Sequence, residues 1–220
     1  MEAIKPYKKS FEYSYTLGAF PTIELIKNAP EQVLLVIVSP ELEDRATITE
    51  LCNKYRISMI ESKKQIERLS DKENVYIIGV FRKFEKELSK DAPHIVLVNP
   101  SNMGNLGTII RTAIGFGIHD IAMIEPAADI YNPKVVRASM GALFHMNFKY
   151  FDSFEAYAAK YEGHEFYPFM LDADKTLVPG IYQGEKPFSL IFGNEATGLD
   201  ERFHGYGTSV LIPQSSEVDS

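Results

Sequence analysis

The chain has 220 residues, of which 45% are hydrophobic and 24% charged, and a net charge of −7. Those proportions are ordinary for a globular protein with one large or two small domains. They exclude a low-complexity chain. No apolar run approaches the roughly 20 residues of a membrane-spanning helix, and a single cysteine excludes an internal disulfide. The negative balance argues mildly against indiscriminate binding of polyanions.

The start, MEAIKPYKKS, has basic residues but no apolar run behind them, so it does not read as a secretory leader. The cytoplasm is the expected compartment. Residues 1–14 interleave Lys5, Lys8 and Lys9 with Tyr7 and Tyr13. Such a segment is either an arm for RNA, with lysines on phosphates and aromatics on bases, or a plain edge strand. A helix starts at Thr22 to Ile26. Val33 to Val38 is a strand, Glu43 to Tyr55 a helix and Ile57 to Ile60 a short strand. Cys52 on that helix reads as core packing. Lys63 to Leu69 is a short helix, Asp71 to Asn74 a turn and Val75 to Phe81 a strand.

Residues 1–90 carry 15 basic and 14 acidic side chains, and residues 91–220 carry 8 and 16. If the protein meets RNA, its first part should make much of the phosphate contact. The plainer reading of Lys63, Lys64, Arg68 and Lys72 is a solvated helix face. Arg82 to Ala92 is a charged connector with little apolar face, which places a domain boundary there. The division is residues 1–88 and residues 93–220.

From His94 onward, strands and helices alternate. Strands are expected at Ile95 to Val98, Asp120 to Ile124, Met146 to Tyr150, Phe166 to Leu171, Phe188 to Phe192 and Ser209 to Ile212. Helices are expected from Leu106, at Pro133 to Met140 and at Ser153 to Tyr161. This alternation predicts an α/β fold with a parallel sheet. Ligands on such sheets sit beyond the carboxyl ends of the strands. The five histidines and Cys52 show no metal-ligand spacing, so no metal is expected.

One stretch stands out, HIVLVNPSNMGNLGTIIRTAIGFGI at residues 94–118. An apolar strand leads into a Gly/Asn-rich loop and then a helix ended by Gly117. Arg111 sits inside an otherwise apolar run and, as a permanent cation, needs a partner there. The loop alone is compatible with a tight turn whose N-cap is Asn105. Neither the GxGxxG of a dinucleotide site nor the GK[ST] of a phosphate loop is present. The pattern Asn-x-Gly-x-x-x-Arg-Thr-Ala after a strand and Asn-Pro resembles the first motif of the SpoU (TrmH-type) RNA ribose 2′-O-methyltransferases, of the SPOUT class.

Two further stretches fit the same family. SLIFGNEATGLD, residues 189–200, resembles its second motif: an apolar strand running into Gly-Asn-Glu, then Gly198. VLIPQSSEVDS, residues 210–220, resembles the third. There Ile212, Pro213 and Ser220 fit, whereas Gln214 and Ser216 stand where Met and Gly are usual. The family's following Leu-Asn and last helix are not present.

The resemblance implies a small ribosomal-protein-like RNA-binding domain ahead of a trefoil-knotted SPOUT domain that lacks its final helix. It implies S-adenosyl-L-methionine as methyl donor, a homodimer with composite sites, and structured ribosomal or transfer RNA as acceptor, with no role for DNA or membrane. By position it implies Arg111 as the catalytic arginine, Asn105 and Glu195 as its supports and Ser220 beside the reacting centre. Gly193, Asn194, Gly198, Ile212 and Ser220 would line the cofactor. The competing reading is a noncatalytic RNA-binding or ribosome-assembly protein that keeps the fold. The departures in the third motif favour it.

Overall fold

The computed structural model describes residues 4–182 and 184–215. In chain order the elements are β1 (Tyr13–Tyr15), α1 (Ala19–Asn28), β2 (Val33–Val38), α2 (Arg45–Tyr55), β3 (Met59–Glu61), α3 (Lys63–Leu69), β4 (Ile77–Arg82) and β5 (His94–Val98). Then come α4 (Met103–Gly115), β6 (Asp120–Ile124), α5 (Pro133–Ala138), β7 (Asn147–Phe151), α6 (Phe154–Lys160), β8 (Glu165–Pro168), β9 (Lys175–Thr176), β10 (Phe188–Phe192) and β11 (Val210–Leu211). Several helices begin where a short polar side chain can accept an unpaired backbone N–H. Asp44 caps α2, Ser62 caps α3, Asn132 caps α5 with Pro133 behind it, and Ser153 caps α6.

These elements form two compact units. The first holds the residues up to Glu85 together with Met103–Gly115 and Asp129–Met146. The second holds Lys86–Asn102, Phe116–Ala128 and the residues from Asn147 on. The chain passes between them more than once, and the first passage, at Glu85, falls inside the charged connector.

The first unit is built on a four-stranded sheet of order β1-β4-β2-β3, in which only β2 and β3 are parallel. The strand VLLVIV packs both faces because successive side chains point to opposite sides. Leu35 and Ile37 join Ile66 and Leu69 of α3 on one face. Val36 and Val38 join Ile26 of α1 and Ile48 and Cys52 of α2 on the other. Tyr13 to Tyr15 form the edge strand that was one of two readings of the N-terminal segment.

In α4 the buried residues are Leu106, Gly107, Ile110 and Ala113, at helical spacing. Arg111 falls on the opposite, exposed face. The expectation that it needs a protein partner is therefore corrected: its charge is solvated, and it makes no ion pair among the described residues. Asn105 is no N-cap either, because α4 already begins at Met103. Gly107 has a packing role. A Cβ there would lie 2.4 Å from Ala138 Cβ and 2.9 Å from the Val135 carbonyl oxygen, both on α5.

The second unit is a five-stranded sheet of order β7-β6-β5-β10-β8, every neighbouring pair parallel. One face carries a cluster of Val96, Val98, Ala122, Ile124 and Ile191 from the sheet with Phe154, Tyr157 and Tyr161 from or next to α6. Ile95, Leu97, Ile121 and Met123, on the other face, are buried as well. This explains why the strands read as continuous apolar runs rather than alternating ones. From β5 the chain moves outward through β6 to β7, then reaches the far edge at β8 and returns inward to β10. The direction reverses between β5 and β10. Among the described residues no helix is long and apolar enough to cross a membrane, and no group of acidic, histidine or cysteine side chains could hold a metal ion.

The α4–α5 contact yields a measurable expectation. Alanine at position 107 would gain up to about 1 kcal/mol of helix propensity, but overpacking a filled contact costs about 1–3 kcal/mol. With a methyl group placed 2.4 Å from a neighbour, the second effect wins. Gly107→Ala should lower the urea midpoint at unchanged slope. A midpoint equal to the parent's would show that the two helices part easily.

Candidate active site

Crevices in open parallel sheets form where the strand order reverses, beyond the carboxyl ends of the strands. Here that place lies at the ends of β5 and β10, and three loops meet there. Asn99, just after β5, adopts a left-handed conformation with φ 52°. Its side-chain amide donates to the Glu125 carbonyl at 2.8 Å, which ties it to the loop after β6. Asn194, after β10, donates to the Asn99 carbonyl at 2.8 Å.

Glu195 completes the arrangement. One carboxylate oxygen accepts from the Asn102 N–H at 3.1 Å. The other accepts from the Ser101 N–H at 3.3 Å and the Ser101 hydroxyl at 3.0 Å. Burial alone would raise the pKa of this carboxyl. Hydrogen bonds from its own N–H and from Ser101 and Asn102 outweigh burial and hold the pKa below the ordinary range.

The Gly-Asn-Glu-x-x-Gly stretch closes on itself. The Gly198 N–H donates to the Asn194 carbonyl at 2.8 Å, and the Ala196 N–H donates to the Asn194 side chain at 2.9 Å. Gly198 has φ 67°, which favours glycine. Gly193 has a different reason. A Cβ there would lie 2.1 Å from the Gly198 carbonyl carbon. The close approach that demands glycine at 193 is by the loop's own backbone.

Beside this loop lies a cavity of about 560 Å³, lined by residues 169–172, 192–199, 210–212 and 214. Its size is that of a small-molecule site. Phe169 and Phe192 stack in its wall, with ring centroids 4.6 Å apart and planes 10° apart. Leu171 and Ile212, also in the lining, remain 67% and 50% exposed. Apolar side chains held open to water around a ring-lined cavity suit a planar organic group. Asp172, Asn194 and Gln214 add polar contacts. The walls from Phe169 to Asp172 carry no motif and were not singled out from the sequence. The only signal for them was their place just past β8, at the carboxyl edge.

The structure thus brings together Gly193, Asn194, Glu195, Gly198 and Ile212 around one cavity in the second unit. Asn105 and Arg111 stand on α4 in the first unit, both exposed. Arg111 there lines an open groove with Phe20, Glu24, Ile114, Met140 and His145. Ser220 lies outside the described residues.

At the carboxyl edge of this parallel sheet, beside the switch point, lies a cavity of small-molecule size. Comparison makes the class specific. The model of the SpoU rRNA Methylase family matches residues 92–220, more than half of the chain, and the chain belongs to that family. An uncharacterized tRNA/rRNA methyltransferase of Synechocystis sp. is 32% identical over 129 residues, 57% of this chain and 46% of that protein. The 23S rRNA (guanosine(2553)-2′-O)-methyltransferase of Bacillus subtilis is 31% identical over 122 residues, 53% of this chain and 46% of that protein. The chain's matched part thus spans about half the length of these relatives. An AdoMet-bound rRNA methyltransferase from Sinorhizobium meliloti shares the fold, with a TM-score of 0.79 over 95% of this chain and 81% of that one, at 21% identity.

The Glu195 clasp should respond to charge. A carboxyl whose pKa is depressed in the folded state stabilises the fold above its unfolded value and loses that contribution as pH falls through the folded one. The clasp should therefore hold at neutral pH and open only below the ordinary value of 4.5. Glu195→Gln places an amide NH₂ where one oxygen accepted an N–H. Protection of the Ser101 and Asn102 amides from hydrogen exchange, taken relative to the intrinsic rate at the same pH, should fall in this variant at pH 7, and in the parent only on acidification. Equal exchange in both proteins at pH 7 would remove Glu195 from this role.

Proposed function

We propose that this chain carries a methyltransferase that modifies a ribose 2′-hydroxyl of ribosomal or transfer RNA, with S-adenosyl-L-methionine as donor. The observation that carries the reading is the clasp of Asn194 and Glu195 on the loop after β5, beside a ring-lined cavity, in a chain of the SpoU family. The names of its relatives support the same chemistry.

The cofactor supplies a methyl group made electrophilic by its sulfonium. Gly193, Asn194, Gly198 and Ile212 would hold it, largely through backbone groups and the apolar wall. The chemistry this donor would supply is methylation of the ribose 2′-oxygen, with the thioether form of the cofactor as leaving group and the hydroxyl proton passing to water. Orientation of that hydroxyl is the protein's main contribution. Arg111 is a very poor base, but its guanidinium fork matches a phosphate. We assign it to the phosphate of the target nucleotide, with Asn105 supporting the arginine or the ribose and Glu195 fixing the loops. Ser220 takes the family position beside the reacting centre. Residues 1–88 would carry the RNA-binding share and residues 93–220 the transfer chemistry. A homodimer, the cytoplasm and exclusion of DNA complete the reading, since DNA lacks the 2′-hydroxyl.

The test is transfer of labelled methyl from the cofactor to ribosomal and transfer RNA. The product should be a dinucleotide resistant to alkali, because the blocked 2′-oxygen cannot attack its phosphate. Arg111→Ala should lower the rate by about 10²-fold or more, the scale of a lost positioning contact. Its stability should change by no more than about 0.5 kcal/mol, as for an exposed side chain. Lysine should not rescue it. Full activity in Arg111→Ala would remove the arginine from the chemistry. RNA binding without any methyl transfer would favour the noncatalytic alternative.

A further inference from the structure

At the opposite, amino end of the parallel sheet lies a buried chain of polar groups. His94 opens β5, Ser189 lies in β10, Tyr157 is on α6, and His164 immediately precedes β8. His94, Tyr157 and Ser189 are fully buried and His164 is 7% exposed. His94 Nε2 is 2.6 Å from the Ser89 carbonyl oxygen, and His94 Nδ1 is 2.9 Å from the Tyr157 hydroxyl. That hydroxyl is 2.6 Å from Ser189 Oγ, which is 2.9 Å from His164 Nδ1. His164 Nε2 is 3.0 Å from the Lys90 carbonyl oxygen. The chain therefore runs from one connector carbonyl, through four side chains, to the next connector carbonyl.

Its protons can be counted. Each of the five links needs one hydrogen, and both ends are carbonyls, which only accept. A neutral imidazole brings one hydrogen, tyrosine one and serine one. Four groups thus bring four hydrogens to five links. With both histidines neutral, one link must face lone pair against lone pair. One added proton completes all five: His164 donates from both nitrogens, Ser189 donates to Tyr157, Tyr157 to His94, and His94 to Ser89. A second added proton would have no acceptor in the chain. It would also place two charges on rings whose centroids are 4.4 Å apart.

We infer that His94, Tyr157, Ser189 and His164 form a site for a single shared proton, which clasps the connector before β5 to the sheet. His164 is its main seat. Its Nε2 faces the Lys90 carbonyl, and the nearby Phe188 carbonyl also favours the charged ring.

The surroundings set the pH range. Asp120, the strand partner of His94 on β6, faces both imidazoles, and Asp91 of the connector faces His164. Both acids favour uptake. Tyr161, packed edge-on against both imidazole rings, is uncharged, its pKa raised chiefly by burial. Beyond it lie Glu87 and its partners Lys149 and Lys160. Burial opposes uptake and pushes both histidines below the usual imidazole range, His94 to about 4. One proton should therefore bind below the ordinary value of 6.5, with the second held off until lower pH still. The unfolded chain binds two protons around that ordinary value. Folding therefore weakens as pH falls below 6.5, first by the depression of the shared site and then by the proton that the folded chain refuses.

Nitrogen-15 spectra of the histidine rings in the whole chain, recorded from pH 8 to 4.5, test this. His94 and His164 should respond together, with changes that sum to one proton. Two conservative variants remove the shortfall. Tyr157→Phe and Ser189→Ala each leave three links and three hydrogens, so neither needs the extra proton. In each variant the shared uptake should move about one pH unit or more toward acid, a tenfold or larger loss of proton affinity. Two independent protonations near 6.5 in the parent would overturn the inference. So would one titration common to the parent and both variants.

Discussion

Everything at the carboxyl edge of the parallel sheet depends on one carboxylate held against backbone N–H groups. Glu195 leaves the end of β10 and grips Ser101 and Asn102, the residues that follow β5 and lead into α4. Two such strand ends are neighbours only because the strand order reverses between them. Without the clasp, each loop would satisfy its polar groups with water and sample many conformations. With it, the N–H groups of one loop are fixed by the side chain of the other. The order is then already in place when a ligand arrives, and little binding energy is spent on imposing it. Asn194 and Asn99 extend the same logic across three loops, each side-chain amide donating to a carbonyl of the next.

The local geometry of the second motif follows from that demand. A loop that must present Asn194 and Glu195 in one direction has to turn back within a few residues. It does so by letting Gly193 touch the Gly198 backbone and by placing Gly198 in a left-handed conformation. Both glycines serve the turn, and the turn serves the carboxylate. The cavity then takes its apolar walls from strand ends that converge on the same place: Phe169 past β8, Phe192 at the end of β10 and Ile212 past β11.

Much of this was legible in the residues. Strands such as Val33–Val38, Asp120–Ile124 and Phe188–Phe192 coincide with apolar runs because burial on both faces leaves little room for polar side chains. The second motif was readable because its chemistry is local. Features set by distant contacts were not. Gly107 looks like any motif glycine until α5 is seen against it. Arg111 looked enclosed because its sequence neighbours are apolar, yet helical spacing turns those neighbours away from it. The start of α4 was missed by three residues, since Met103-Gly104-Asn105 resembles loop sequence and only the backbone shows that the helix has begun. A division drawn along the chain also could not show that α4 and the 129–146 segment cluster with the first 85 residues.

The two ends of the sheet solve one problem in opposite ways. A strand end leaves polar backbone groups that need partners, and burial makes each unmet partner costly. At the carboxyl edge the answer is an exposed, charged acceptor surrounded by N–H donors, and there the charge is welcome because both solvent and donors stabilise it. At the amino edge the groups are sealed from water, and the carbonyls of Ser89 and Lys90 ask for donors. Neutral histidines supply them, but a chain with an acceptor at each end is always one hydrogen short when its members are neutral. The sequence position of His94, one residue before the apolar run, gave no hint of this, because the shortage belongs to the whole chain of bonds rather than to any residue in it. The same physical rule, that buried polar groups must be matched donor to acceptor, therefore makes one edge of the sheet insensitive to pH near neutrality and makes the other a place where a single proton decides whether the matching is complete.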